Sequence, residues 1–236
     1  MSFERVLASV SRLVVLQHQG EYIRLLDGAT REWENARSAG NKTNTVIFSV
    51  LAVDGYLAAG QFAPVDRILD QAEKSLPERF VPQTYDVTDA LVHRDIARGR
   101  VEAAIERFTA MQSPFKWAGG KLAAVTLFRN AKLGGRTGIA AGNPAVVRQA
   151  IRDLRGMKRE DASAFAEWFE SVLAGTAQEQ SQQIADGLER AEAGSVALAV
   201  RLQTGRSAAL IEKLRGRGIV DPLHWSRWMA PLKMPS

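Results

Sequence analysis

Histidine is the side chain that catalysis and metal binding use most often, and this chain of 236 residues has three of them. His18, His93 and His224 are scattered, and no spacing between histidines and carboxylates suggests a metal site, such as two histidines one helical turn apart. The chain has no cysteine, which excludes disulfides and thiolate metal sites. We therefore predict no catalytic residues, no cofactor and no metal, and we expect the protein not to be an enzyme.

Two glycine-rich segments resemble phosphate-binding loops, but neither has the required spacing. At Gly119-Gly120-Lys121, Phe115 stands where a phosphate loop requires its first glycine, and Leu122 stands where it requires serine or threonine. The segment 134–138, Gly-Gly-Arg-Thr-Gly, misses the dinucleotide-binding spacing and follows no predicted strand. Because each glycine weakens a helix by about 1 kcal/mol relative to alanine, we expect this second segment to be a flexible break between helices.

A basic block lies between residues 116 and 159, where ten Lys or Arg residues accompany one Asp. Aromatic residues are interleaved with these charges, a combination that could follow a phosphate backbone and stack on bases. The side chains that would contact nucleic acid are Lys116, Lys121, Arg148, Arg152, Arg155, Lys158 and Arg159. The alternative is a solvated helix face that the following segment 160–200, with eight acidic residues and one basic residue, neutralises.

Six glycines divide the chain into segments that are each long enough for one or two helices. They lie at positions 20, 60, 99, 142, 175 and 205, at intervals of 40, 39, 43, 33 and 30 residues. Downstream of Gly60, Gly99 and Gly142, apolar residues recur two, five, nine and twelve positions after the glycine. This spacing places them on one stripe of an α-helix. A second apolar run precedes each glycine, so each unit is predicted to be a helix, a tight turn with glycine at positive φ, and a helix.

These residues resemble a known family. The residues that carry the resemblance to the second half of a tetratricopeptide repeat are Tyr56, Gly60, Phe62, Val65, Leu69 and Ala72, and again Gly99, Val101, Ala104 and Phe108. The resemblance implies an all-α fold: a right-handed α-solenoid of about six antiparallel helical hairpins with a C-terminal capping segment. We predict one domain over residues 1–236, with hairpins at roughly 2–40, 43–76, 83–113, 117–156, 159–191 and 193–216 and the cap at 217–236.

In the tetratricopeptide-like arrangement, the first helix of each hairpin lines a concave groove. The residues that line the groove lie at fixed distances before each glycine. The partner-binding positions obtained in this way are Asp54, Asp86, Asp89, His93, Arg129, Lys132 and Arg136. A groove with an acidic and a basic half could hold a peptide of mixed charge. Alternatively, its basic half could hold an acidic segment or a carboxylate. The alternative is that these are ordinary exposed positions. We predict a non-catalytic scaffold for a peptide or protein, similar to the tetratricopeptide-like interaction or sensor modules of bacterial regulators.

The C-terminal segment contains Trp225 and Trp228, which are costly to leave in water. We expect them to fold back and cover the last hairpin, as the end of a repeat stack requires. The alternative is an interface with a partner or with a second copy of the chain, since exposed tryptophans are favoured interface anchors.

The first 20 residues carry charges at Glu4, Arg5 and Arg12 among their apolar residues. We therefore predict neither a signal peptide nor a membrane-spanning helix here, and we expect a cytoplasmic protein that does not contact membranes.

Overall fold

The computed structural model describes residues 3–76, 82–118, 124–205 and 207–235, and every regular element within these ranges is an α-helix. The prediction of an all-α fold is therefore confirmed. The helices of the described residues are α1 (Phe3–Gln19), α2 (Tyr22–Ser38), α3 (Lys42–Ala58), α4 (Phe62–Ser75), α5 (Pro82–Ala97), α6 (Val101–Ala118), α7 (Ala124–Ala140), α8 (Pro144–Gly156), α9 (Glu160–Ala174), α10 (Ser181–Arg190), α11 (Gly194–Thr204), α12 (Ala208–Gly216) and α13 (Pro222–Met229). Within these ranges, no helix has both the length and the apolar character needed to cross a membrane.

Glycine allows the chain to reverse direction at most of the predicted turns. Positive φ angles between 62° and 76° occur at Gly20, Gly60, Gly99, Gly142 and Gly175, where a residue with a Cβ would be strained. Gly205 differs, because its φ of −128° is open to any residue. Lys158 and Glu192 adopt positive φ at two turns between successive predicted hairpins, which the spacing of glycines did not indicate.

The predicted apolar stripes are the buried faces of the helices. In α4, the side chains of Val65, Leu69 and Ala72 are at most 1% exposed. The corresponding positions of α6 are also buried, and those of α8 are buried except for Ile151, which is half-buried. A polar residue caps the start of α8: the side chain of Asn143 accepts a hydrogen bond from the backbone N–H of Val146 in the first turn. Local spacing thus accounts for which face each of these helices buries, and capping accounts for where α8 begins.

The contacts between helices follow the order of the chain and then return to its beginning. From α1 to α11, each helix packs against the next, and α1, α3, α5 and α7 each also contact the next odd-numbered helix. In addition, α11 contacts α1, and α13 contacts α5. The odd-numbered helices from α1 to α9 therefore form one contiguous series, and the later helices α11 and α13 pack back against α1 and α5. The right-handed solenoid and the single domain over residues 1–236 stay predictions.

The glycine-rich segment 134–138 is not a break between helices, so this expectation was wrong. It lies within the C-terminal half of α7, and all five of its residues are buried. A Cβ at Gly135 would lie 2.0 Å from Cε2 of Phe169, and a Cβ at Gly134 would lie 2.7 Å from Cζ of Phe108. The missing side chains allow the rings of neighbouring helices to pack directly against the backbone of α7. This packing outweighs the weak helix propensity of glycine.

Aromatic side chains of α9 form the core beside α7. Phe165, Trp168 and Phe169 are at most 3% exposed, and the ring centroids of Trp168 and Phe169 are 4.8 Å apart. Phe128 of α7 meets Phe165 edge-on, with ring centroids 5.7 Å apart. This cluster holds the middle of α7 in a defined position.

Candidate functional site

The seven side chains predicted to line a groove lie on three adjacent helices and form what we call the inner surface. They are Asp54 on α3, Asp86, Asp89 and His93 on α5, and Arg129, Lys132 and Arg136 on α7. Residues spaced by three and four lie on one stripe of a helix, and α5 contacts both α3 and α7. None of the seven is fully exposed, so these are not ordinary surface positions.

Arg129 joins the two acidic residues at the beginning of α5. Its Nη1 is 2.6 Å from Oδ1 of Asp86, and its Nη2 is 2.8 Å from Oδ2 of Asp89. Burial raises the pKa of Asp86 and outweighs the opposing effect of Arg129. At Asp89 burial also acts to raise the pKa, but the positive charges of His93 and Arg129 outweigh it and lower the pKa. The acidic and basic halves of the predicted groove therefore face and compensate each other.

His93 lies between the carboxylates of two helices. Its Nδ1 is 3.6 Å from Oδ1 of Asp54 on α3, and its Nε2 is 3.5 Å from Oδ1 of Asp89 on α5. The same Nε2 is 3.1 Å from Nη1 of Arg136 on α7. The imidazole thus connects all three helices of the inner surface.

Arg136 is 8% exposed and forms no ion pair with a carboxylate in the described ranges. Its Nη2 donates to the backbone carbonyl of Trp228 at 3.1 Å, and its guanidinium carbon lies 5.9 Å from the centroid of the Trp228 ring. Its Nε is buried and has no hydrogen-bond partner among the described residues. A buried donor without an acceptor is unfavourable and is usually satisfied by water or a ligand.

Lys132, one turn before Arg136, has an aromatic rather than an acidic environment. Its Nζ lies 4.5 Å from the ring centroid of Phe128 and 5.0 Å from that of Phe165. No carboxylate forms an ion pair with it in the part of the chain that the structure describes. Burial lowers the pKa of Lys132 to about 8, and the charges of Arg129 and Arg136 add to this effect. A lysine with a lowered pKa among aromatic side chains is a candidate functional group.

Two residues of α1 that are not among the predicted groove positions also face the inner surface. The side-chain amide of Gln17 donates to Asp54. His18 is exposed to solvent, yet desolvation by the surrounding protein lowers its pKa, and the charge of Lys132 acts in the same direction. The groove positions of the tetratricopeptide-like arrangement include one three residues before each glycine, and before Gly20 this position is Gln17.

The C-terminal segment 217–235 runs across the C-terminal ends of four odd-numbered helices in chain order. Arg217 Nη1 donates to the backbone carbonyl of Gln19 at 2.9 Å, and the backbone N–H of Val220 donates to that of Ala58 at 3.1 Å. Nε2 of His224 lies 2.8 Å from the carbonyl oxygen of Ala97. Pro235 packs beside Gly142. The contacts of Arg217, Val220 and His224 satisfy carbonyls that a helix leaves free at its C-terminus. The segment therefore covers this end of the inner surface.

Trp225 and Trp228 are buried within this segment, at 1% and 4% exposure. Trp225 meets the ring of Tyr22 edge-on, with centroids 6.1 Å apart. Their helix α13 contacts the last hairpin through α11 and α12, but it also contacts α5, and Trp228 lies against Arg136 of α7. The tryptophans thus pack into the inner side of the molecule and extend well beyond the last hairpin.

The exposed basic residues lie elsewhere, around the end of α8. Arg148, Arg152, Arg155, Lys158 and Arg159 are all exposed. Arg155 Nη2 is 2.7 Å from Oε2 of Glu170, and Arg159 Nη2 is 2.6 Å from Oδ2 of Asp161, so the acidic segment compensates part of the row. The side chain of Lys116 and the whole of Lys121 lie outside the described residues.

Among the described residues, no group of three or more His, Asp or Glu side chains is arranged to hold a metal ion. No protein-family model, no curated protein and no solved structure matches this chain.

Proposed function

We propose that this protein is a non-catalytic scaffold whose inner surface binds an extended peptide segment of a partner protein. In this proposal the helices form a right-handed, tetratricopeptide-like solenoid, and the chain is an interaction or sensor module of a regulatory system. The observation that carries the proposal is the meeting of acidic, basic and imidazole side chains from α3, α5 and α7 on one surface. Charges of both signs at defined positions select a partner and fix its register.

The accessible part of this surface is the half where α5 and α7 begin. The side chains of Arg129 and Asp86 are 35% and 23% exposed, whereas the C-terminal segment covers the opposite half near Trp228. A peptide with one acidic and one basic side chain can replace the ion pair between Arg129 and Asp86 with one ion pair to each of these two residues. We therefore expect the peptide to enter from the half of the surface that lies away from α13.

A peptide selection with a charge-swapped variant tests this function. Peptides that bind the full-length protein are selected from a random peptide library and then measured against the variant Asp86→Arg/Arg129→Asp. This variant retains an ion pair between the two helices but reverses the field that a ligand meets. The matched control is Arg148→Glu/Arg152→Glu, which changes two exposed charges on α8.

We expect the selected peptides to bind the charge-swapped variant at least about ten-fold more weakly, which corresponds to about 1.4 kcal/mol, and to bind the α8 control as they bind the parent. Circular dichroism of both variants checks that the helices are retained. If the peptides bind all three proteins equally, or lose affinity only for the α8 control, the inner surface is not the binding site.

Nucleic-acid binding is the second candidate, and the exposure of Arg148 and Arg152 on α8 favours it. Two neighbouring arginines, Arg155 and Arg159, are already engaged with carboxylates, which weakens the basic row. Binding to labelled single- and double-stranded nucleic acid at increasing salt separates the candidates, because phosphate contacts give a steep salt dependence. Loss of this binding in the same α8 variant would assign the row to nucleic acid.

A further inference from the structure

Two cations of the inner surface, Lys132 and Arg136, have no carboxylate partner in the described ranges, although three carboxylates lie on the same surface. Asp86 and Asp89 are joined to Arg129, and Asp54 is joined to His93 and Gln17. Lys132 and Arg136 are four residues apart on α7, so their side chains are neighbours on one face.

We propose that Lys132 and Arg136 form a binding site for a carboxylate group of the ligand, with the rings of Phe128 and Phe165 as its apolar wall. The inference rests on the proposed function, because it names the chemical group of the peptide that the inner surface binds. The ammonium of Lys132 supplies the charge, and the buried Nε–H of Arg136 supplies a directed donor that has no partner among the described residues.

The surroundings favour a single negative charge over a doubly charged phosphate. Asp89 and Asp161 are close enough to act on the Lys132 ammonium, and they repel any anion. The site offers the ammonium of Lys132 and the unpartnered Nε–H of Arg136, whereas Nη1 and Nη2 of Arg136 already contact His93 and Trp228. A carboxylate matches these two donors with one charge. Its source is either an acidic side chain or the C-terminal carboxylate of a peptide.

Burial of the ammonium should make ligand binding depend on pH. The charged groups that act on Lys132 are Arg129 and Arg136 from its own helix, Asp89 from α5 and Asp161 from the start of α9, and it acts in turn on His18 of α1. With a pKa of about 8, the protonated fraction of Lys132 falls from roughly nine-tenths at pH 7 to roughly one-tenth at pH 9. Carboxylate binding should therefore weaken about ten-fold over this interval.

The experiment is an NMR titration of the full-length protein, labelled with 15N and with 13C at lysine. Three probes differ only in their carboxylate: acetyl-glutamate amide carries a side-chain carboxylate, acetyl-glutamine carries a C-terminal carboxylate, and acetyl-glutamine amide carries none. We expect the Lys132 side-chain signals to shift and saturate with one or both acids and not with the diamide. The stronger acid identifies the source of the carboxylate.

Lys132→Gln should lose at least about ten-fold in affinity for the acid that binds, whereas Lys132→Arg should retain most of it. Lys158→Gln, which changes an exposed lysine after α8, is the matched control and should bind as the parent does. Equal binding of acid and diamide, no shift of Lys132 with any probe, or equal affinity at pH 7 and pH 9 in the parent would each overturn the site. If the peptides selected above still bind through Asp86 and Arg129, the carboxylate site alone has failed and the proposed function stands.

Discussion

The close approach of α9 to α7 predicts that Gly135→Ala destabilises the protein. The added Cβ would lie 2.0, 2.4 and 2.5 Å from three carbons of the Phe169 ring, where favourable carbon contacts begin at about 3.5 Å. Phe169 is fully buried and stands 4.8 Å from the Trp168 ring, so it cannot move away freely. Such overpacking costs about 3 kcal/mol, and the better helix propensity of alanine returns about 1 kcal/mol.

The net loss in the free energy of unfolding is therefore about 2 kcal/mol, or a fall in Tm of about 4–8 °C for a chain of this size. Urea unfolding followed by tryptophan fluorescence and circular dichroism measures this loss. Gly156→Ala, at the end of α8, is the matched control because its Cβ would meet no atom within 4 Å. It should leave stability unchanged or raise it by up to about 1 kcal/mol.

A double-mutant cycle with Phe169→Leu locates the cause. In the Phe169→Leu background the ring is absent, so Gly135→Ala should cost less than it does in the parent. If Gly135→Ala is as stable as the parent, or costs the same with and without the ring, the proposed reason for the glycines in α7 is refuted.

Three further changes have defined outcomes. Trp225→Ala should lower the free energy of unfolding by about 3–5 kcal/mol in urea titrations, because its indole is 1% exposed and packs against Tyr22. Asp89→Asn should destabilise the protein at pH 7, because the pKa of Asp89 is lowered in the folded state and its ionised carboxylate therefore stabilises the fold. This stabilisation is present above about pH 4 and lost below it. The free energies of unfolding of parent and variant should therefore converge in acid. Lys132→Met should raise the free energy of unfolding at pH 7 by about 1–3 kcal/mol, because a lysine pKa of about 8 disfavours the charged folded form. This gain should shrink between about pH 8 and pH 10, where Lys132 becomes neutral in the parent as well, and unfolding at pH 7 and pH 10 measures it.

Patterns within one or two helical turns predicted the helices correctly, whereas the groove positions stay predictions. The stripe of α4 and the turn at Gly60 depend on neighbours along the chain, and both are present as expected. The pairing of the groove residues could not be predicted, since Arg129 and Asp86 are 43 residues apart. Their distance depends on how α5 and α7 pack.

The segment 134–138 illustrates the limit of local rules. Its glycines weaken a helix in isolation, and the sequence contains no sign that the rings of Phe108 and Phe169 would occupy the missing side-chain volume. The same limit applies to the C-terminal tryptophans, whose burial was expected but whose neighbours on α2 and α7 were not.

The sequence by itself therefore determined the all-helical class, five of the six glycine turns at positive φ and the helix faces that carry the charged residues, because periodicity and backbone sterics act over a few residues. Only the tertiary structure decided which charges compensate each other, that residues 217–235 cover one end of the inner surface, and that Lys132 meets aromatic rings instead of a carboxylate. These features depend on distances between residues that are far apart in the chain, and side-chain packing sets those distances.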